Sequence, residues 1–333
     1  MSHDGTTDHL PRRRFGRLAA LGLAAGAGAV GLVRPAGAEE AAGQVHYRRA
    51  RTLAGNDPVL LDLVKALAPG STLPPRPPAP EPLMLFDNLA FLSAGWVSAM
   101  AVLTDDGIVL IDALTSPAEA EGVIAAGLRR LGAAPETIRY VIVTHGHDDH
   151  FGGAQHLADH YGARVLMTPA DWDLIARTRP ANAPTRDLDI SDGQQLTLGG
   201  TTIRLHHTPG HTLGTASPII PLHEGRDRHT GMLWGGALPP TTVPRLRTYL
   251  ASVRSFRNRM RQANVDVELS NHPNDHGLER AEQLRHRPPG QANPFVLGQS
   301  RTQRFMAVMD SMLCGRIADA AQPPPGGFPR ATD

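Results

Sequence analysis

A single cysteine, Cys314, occurs in 333 residues. That excludes an internal disulfide and any cysteine-rich zinc site. Cys314 reads as a small hydrophobe buried in the last helix. Net charge is equally scarce: 33 basic against 32 acidic residues give a formal +1, so nothing favours a nucleic-acid partner. The apolar stretch from Leu18 to Val33 is Gly/Ala-rich and short for a membrane span.

That stretch belongs instead to an export pattern. Arg12-Arg13-Arg14-Phe15-Gly16-Arg17 is a twin-arginine sequence, and Ala36-Gly37-Ala38 is a small-residue cleavage site. Residues 1–38 are therefore expected to be a signal peptide read by the twin-arginine export machinery. Such export carries a protein already folded, often with its metal. The mature chain is expected to be periplasmic or secreted and free of the membrane. Its removal takes five arginines and two aspartates and leaves 28 basic and 30 acidic residues.

Residues 39–82 read as an N-terminal extension and connector. Val59 to Leu67 has a helical apolar pattern, and Thr72 to Pro82 is proline-rich and extended. Whether the extension packs over the domain or over a site is open. Residues 83–321 read as the main domain, and the chain's length and 41% hydrophobic composition suit one large globular unit with appendages. A Pro/Gly-rich tail, 322–333, is expected to be disordered.

The main domain is organised around Thr144-His145-Gly146-His147-Asp148-Asp149-His150. It follows the short apolar run Tyr140 to Val143, a buried strand, and precedes a helical pattern. Three histidines and two aspartates thus sit in one loop at the C-terminal end of a strand, where open α/β sheets place their sites. His145 and His147 are two apart and can point the same way from an extended loop. Asp149 and His150 diverge and suit a second metal a few ångströms away. Neutral imidazole and carboxylate are good zinc ligands.

The rest alternates. Ala99 to Leu103 and Ile108 to Ile111 flank a turn at Asp105-Asp106-Gly107. Pro117 to Leu131, Ala154 to Tyr161 and Pro169 to Ala176 read as helices, and Arg164 to Thr168 as a strand. A long polar loop spans Arg177 to Asp192, and a hairpin turns at Gly199-Gly200. Strands are expected at Ala216 to Leu222, Met232 to Trp234 and Val265 to Leu269. Arg245 to Gln262 is a long helix with Leu246, Leu250, Val253, Phe256 and Met260 at helical spacing.

The H-x-H-x-D-H loop resembles the signature of the metallo-β-lactamase superfamily. Thr208-Pro209-Gly210-His211-Thr212 and Ser270-Asn271-His272-Pro273 match that family's later ligands in order and context. The resemblance implies an α/β fold, an αββα four-layer sandwich with metals at one edge. It also implies two zinc ions, one on His145, His147 and His211, the other on Asp149, His150 and His272. A metal-bound hydroxide would then attack a carbonyl carbon of a small-molecule substrate. Asp149, the catalytic residue, would orient it and shuttle its proton.

Two departures qualify the resemblance. Glyoxalase II and the lactonases carry an Asp bridging both metals on a strand between the last two His ligands. Met232 to Leu238 holds none, which counts against those groups. The ligand set is instead that of the class B, subclass 3 zinc β-lactamases. That subclass, however, usually offers serine hydroxyls where this chain has Ala237 and Pro239. It often has a C-terminal disulfide too; Cys314 resembles one partner, while Val265 stands where the other would be. The expected activity is therefore a β-lactamase-like zinc hydrolase. The alternatives are an ester or lactone hydrolase of the same superfamily, or an iron-dependent oxidoreductase on the same fold. Thr241, Thr242, Asn271 and Arg245 are candidates for substrate contact. Asp112 and one of His206 and His207 are candidates to support a metal-loop histidine. Asp148, His223, His229, His276 and His286 read as solvated, and Trp96 and Trp172 as core or rim.

Overall fold

Strict alternation of apolar residues sends successive side chains of each strand into two different cores. A computed structural model describes residues 42–72, 75–273 and 276–322; the expected signal peptide and C-terminal tail lie outside them, save Gln322. The first sheet is built from β1 Leu83–Phe86, β2 Leu89–Ser93, β3 Ser98–Thr104, β4 Gly107–Ile111, β5 Ile138–Ile142, β6 Arg164–Met167 and β7 Leu188–Asp189, in that spatial order. Its first four strands are antiparallel and β4 to β7 run parallel. The second sheet has the order β12 Val267–Leu269, β11 Asp227–Leu233, β10 Ala216–Glu224, β9 Thr201–His207, β8 Gln194–Leu198. There only β12 and β11 are parallel.

The two inner faces meet. Met100, Val102, Val109, Ile111, Ile142 and Leu166 of the first sheet share a core with Ile203, Leu205, Ile220, Leu222, Leu233, Val267 and Leu269 of the second. Their neighbours Ala99, Ala101, Leu110, Val141, Val165 and Met167 face outward into a second core. That core is closed by Ile124 and Leu128 of a helical run (α3 Pro117–Glu119, a π-turn Ala120–Ala125, α4 Ala126–Arg130), Phe151 of α5 Asp148–Phe151, Leu157 of α6 Ala154–Tyr161, and Trp172 of α7 Pro169–Thr178. On the far side, Ile219 and Met232 pack under α8 Val243–Gln262 and α10 Gln299–Ala321. A short helix, α9 Gly277–Arg285, lies between β12 and α10. The order of layers is helix, sheet, sheet, helix: the αββα sandwich.

The N-terminal extension belongs to this outer layer. Helices α1 Gln44–Ala54 and α2 Pro58–Ala66 bury Ala50, Ala54, Leu60 and Val64 in the α8–α10 core. Among the described residues no helix is long and apolar enough to cross a membrane.

The expected elements are found with small differences. The helix over 117–131 is interrupted by its π-turn, and α7 runs on to Thr178 before Arg179 closes it in a left-handed conformation. Cys314 is half-buried in α10 rather than fully buried, near Arg254 and Asp310.

Candidate metal centre

Four strand ends converge on one edge of the sandwich. His145 and His147 follow β5, and α5 carries Asp149 and His150 directly behind them. His211 comes from the turn between β9 and β10, and His272 from the segment after β12. All six expected ligands are brought together. The rings of His145, His147 and His211 lie mutually perpendicular, with centroids 4.8, 4.5 and 4.7 Å apart. His147 Nδ1 and His211 Nε2 are 3.0 Å apart. His150 Nε2 lies 3.2 Å from His272 Nε2, and Asp149 Oδ2 is 3.5 Å from both. The two groups meet at His145 and His150, whose ring centroids are 4.0 Å apart.

His145 Nε2 is buried and has no hydrogen-bond partner among the described residues. A buried polar atom without a partner is costly. His145, His147 and His211 offer ligand atoms within 4.8 Å of one another, as do His145, Asp149 and His150. Three neutral imidazoles, with a second group holding one carboxylate, suit a divalent metal. The residues therefore fit the expected ions. Burial keeps His145 well below the usual histidine range and lowers His211 to about 4, so both are neutral donors at pH 7. Asp149 is also buried, but the His150 contact and the charges of His150 and His272 outweigh that and hold its carboxyl well below its ordinary value.

The outward-facing ring nitrogens are fixed by the fold. His211 Nδ1 donates to the Leu238 carbonyl at 2.8 Å, and His272 Nδ1 to the Trp96 carbonyl at 2.9 Å. Each bond leaves Nε2 as the free acceptor. His150 Nδ1 donates to Asp112 Oδ2 at 2.7 Å. Burial opposes a charge on His150, yet Asp112 and Asp149 together push it up to about 10. Asp112 is wholly buried after β4 with φ +62°, an uncommon conformation for a non-glycine residue. It also accepts from Thr144 N at 2.8 Å, Thr144 Oγ1 at 3.0 Å and Asn271 Nδ2 at 3.0 Å.

One organising residue has no signal in the sequence. Asp171, wholly buried in α7, accepts from Gly146 N at 2.7 Å, Thr212 Oγ1 at 2.7 Å and Gly214 N at 3.1 Å. A single carboxylate thus ties the first histidine loop to the His211 loop. It lies 25 and 41 residues from two of its partners, so only the folded chain reveals it.

The weaker candidates separate. Asn271 is buried beneath the site and bound to Asp112, so it does not face a substrate. Arg245 donates to the Gly210 and His211 carbonyls and braces that turn. Thr241 and Thr242 are exposed. His206 pairs with Arg259 and His207 with the Leu213 carbonyl, so neither supports a metal-loop histidine. His229 and His276 are half-buried, bonded to Asp266 and to Asp62, rather than freely solvated. Trp172 is core; Trp96 is half-buried beside His272. In place of a bridging carboxylate, Gly235 and Gly236 press on the site. A Cβ on Gly236 would collide with the His211 ring, and one on Gly235 with the Ala216 carbonyl.

Comparison with known proteins places this geometry. Residues 94–224 match the profile of the metallo-β-lactamase superfamily. A hydroxyacylglutathione hydrolase of Acidiphilium cryptum is 37% identical over 132 residues, 39% of this chain and 44% of that protein. One from Pseudomonas aeruginosa is 34% identical over 128 residues, 35% of this chain and 43% of that one. The chain therefore spans under half the length of these curated relatives. Solved structures align over far more of it. BJP-1, a subclass B3 metallo-β-lactamase of Bradyrhizobium japonicum, has a TM-score of 0.56 at 24% identity, covering 68% of this chain and 90% of that one. A Cronobacter sakazakii metallo-β-lactamase with a HARLDQ motif has a TM-score of 0.63 at 24% identity, covering 78% and 100%. Residues 94–224 thus match a metallo-β-lactamase superfamily domain, and the αββα fold is shared with solved metallo-β-lactamases, among them the subclass B3 enzyme BJP-1.

Proposed function

We propose that this superfamily hydrolase is a dinuclear zinc enzyme that cleaves a carbonyl substrate of β-lactam type. The observation that carries it is the convergence of six ligand side chains around His145, whose buried Nε2 has no hydrogen-bond partner among the described residues. In this reading His145, His147 and His211 hold one ion, and Asp149, His150 and His272 hold the other. Zinc in such sites acts as a Lewis acid and makes water a nucleophile near neutral pH. The chain's own residues do the rest. Asp149 stays ionised, orients the attacking water and takes its proton on a carboxylate oxygen. Asp112 accepts from Nδ1 of His150, and the Trp96 and Leu238 carbonyls accept from Nδ1 of His272 and His211, which turns each Nε2 toward an ion. Leu213 and Leu238 are exposed on the loops beside His211 and give the mouth an apolar wall for substrate.

A second reading is favoured by the partial likeness to hydroxyacylglutathione hydrolases: a thioester or ester as substrate. The glycines at 235 and 236 argue against it, since no carboxylate bridges the two ligand groups there. We further propose export of the folded, metallated protein to the periplasm; cell fractionation tests it.

The deciding experiment is hydrolysis of a chromogenic cephalosporin by the zinc-loaded protein, with and without chelator, beside a glutathione thioester. Turnover of the cephalosporin that chelator abolishes supports the first reading; turnover of the thioester alone supports the second. His147→Ala and His272→Ala should each lose about one zinc per chain and most activity. Full zinc and activity in both would refute the ligand assignment. Elemental analysis showing iron would point to the oxidoreductase alternative instead.

A further inference from the structure

The proline-rich connector passes directly over the turn that carries Trp96. Arg76 lays its guanidinium carbon 3.8 Å above the centre of the indole. The indole is itself 5.8 Å from the His272 ring, and the Trp96 carbonyl accepts from His272 Nδ1. The connector is fixed there by its backbone. Pro75, Pro77, Pro78, Pro80 and Pro82 restrict φ along the segment, and Pro77 also restricts Arg76 before it. At Gly95, with φ +96°, a Cβ would run into the Pro77 carbonyl oxygen. Only glycine permits so close a crossing.

The arginine so placed is exposed, and among the described residues it has neither a carboxylate partner nor a hydrogen bond. Stacking uses the flat face of a guanidinium and leaves its five N–H donors free at the edge. That edge suits bidentate capture of a carboxylate. Across the mouth, Ala237 and Pro239 offer no side-chain donor, and Arg245 is engaged with the His211 turn.

We propose that Arg76, held on Trp96 beside His272, binds the carboxylate of an anionic acyl substrate at the mouth of the metal centre. This rests on the hydrolase reading above and narrows its substrate class to acids. Trp96 serves as the platform, and the N-terminal connector becomes part of the substrate site. Arg76 acts on selectivity, and the reacting bond stays with the metal ligands.

The test uses the full zinc-loaded chain and two matched probe pairs: a chromogenic cephalosporin and its carboxyl methyl ester, and benzoylglycine and its amide. In the first pair the readout is the ratio of kcat/KM for acid over ester. Arg76→Glu should lower that ratio about tenfold, mainly through KM, and Arg76→Lys should recover part of it, because charge survives but the stacked fork does not. The acid preference of the unsubstituted protein should also weaken in 0.5 M salt, on the order of a few-fold, as expected for an exposed charge. An unchanged ratio in Arg76→Glu would overturn the proposal. If neither cephalosporin form is hydrolysed, the β-lactam reading fails alone. Equilibrium binding of benzoylglycine against its amide, followed by tryptophan fluorescence, then decides for Arg76. Preference for the acid that Arg76→Glu abolishes supports the site; equal preference in both proteins refutes it.

Discussion

His206 shows how one residue's surroundings set a pH dependence away from the ligands. It is buried against Phe256 and accepts from Arg259 Nη1 at 2.7 Å. Burial and then the Arg259 charge push it down to about 4. An unfolded chain would titrate it near ~6.5. Between those values the unfolded chain holds the extra proton, so stability rises with pH. His206 thus contributes its full stabilisation above about pH 6.5 and loses it as pH falls toward 4. His206→Gln keeps an acceptor for Arg259 and removes the titration. In denaturant titrations from pH 7 to pH 4, the stability difference between the two proteins should shrink, at no more than about 1.4 kcal/mol per pH unit. A pH-independent difference would mean that His206 keeps its ordinary pKa in the fold.

Asp171 belongs to the scale of elements, because it joins two loops and a helix. Gly146 and Gly214 approach it so closely that a Cβ on either would meet its carboxyl group. Burial raises its pKa, while three donors favour the ionised form. Removing the carboxylate leaves those donors buried and unpaired, at about 1–3 kcal/mol each. Asp171→Ala should therefore lower stability by several kcal/mol and loosen both histidine loops. The milder Asp171→Asn should keep the fold but weaken the affinity of the His145–His147–His211 group for a metal by about 10–100-fold, read by chelator competition. Unchanged affinity in Asp171→Asn would reduce the residue to a packing role. Its absence from the sequence reading has a physical reason. Ala170-Asp171-Trp172 looks like an ordinary helical stretch, and every partner comes from another element. The ligand loop was legible because four of its ligands sit within six residues behind an apolar strand. Asp112 was legible because a carboxylate at a strand end beside such a loop has few other uses. His206 and His207 alternate as expected, but the inward one met Arg259 on α8, a partner set by tertiary packing.

At the scale of the whole molecule, the N-terminal extension is a wall of the core. The sandwich was readable from the alternation of hairpins and helices. The placement of α1 and α2 was not, because an amphipathic stripe states that a face will be buried without naming the surface that buries it. In the fold, the Tyr47 ring lies over Gly315, where a Cβ would collide with it. Asp319 of α10 accepts from Tyr47 Oη and from Gly43 N, each at 2.7 Å. Asp57 caps α2 through Leu60 N at 3.2 Å and also binds Arg301 and Arg304 of α10. Leu60, Val64 and Leu67 are almost completely buried, each worth about 1.5–3 kcal/mol against exposure. Even discounted for residual burial in the unfolded chain, that sum is comparable with the ~5–15 kcal/mol stability of a typical protein. Deleting residues 42–70 should therefore leave a chain that aggregates or melts far below the full protein. Leu60→Ala should cost about 2–5 kcal/mol by denaturant midpoint and leave the metal content of the protein unchanged. If the deletion melted with the full protein, α1 and α2 would be a detachable arm.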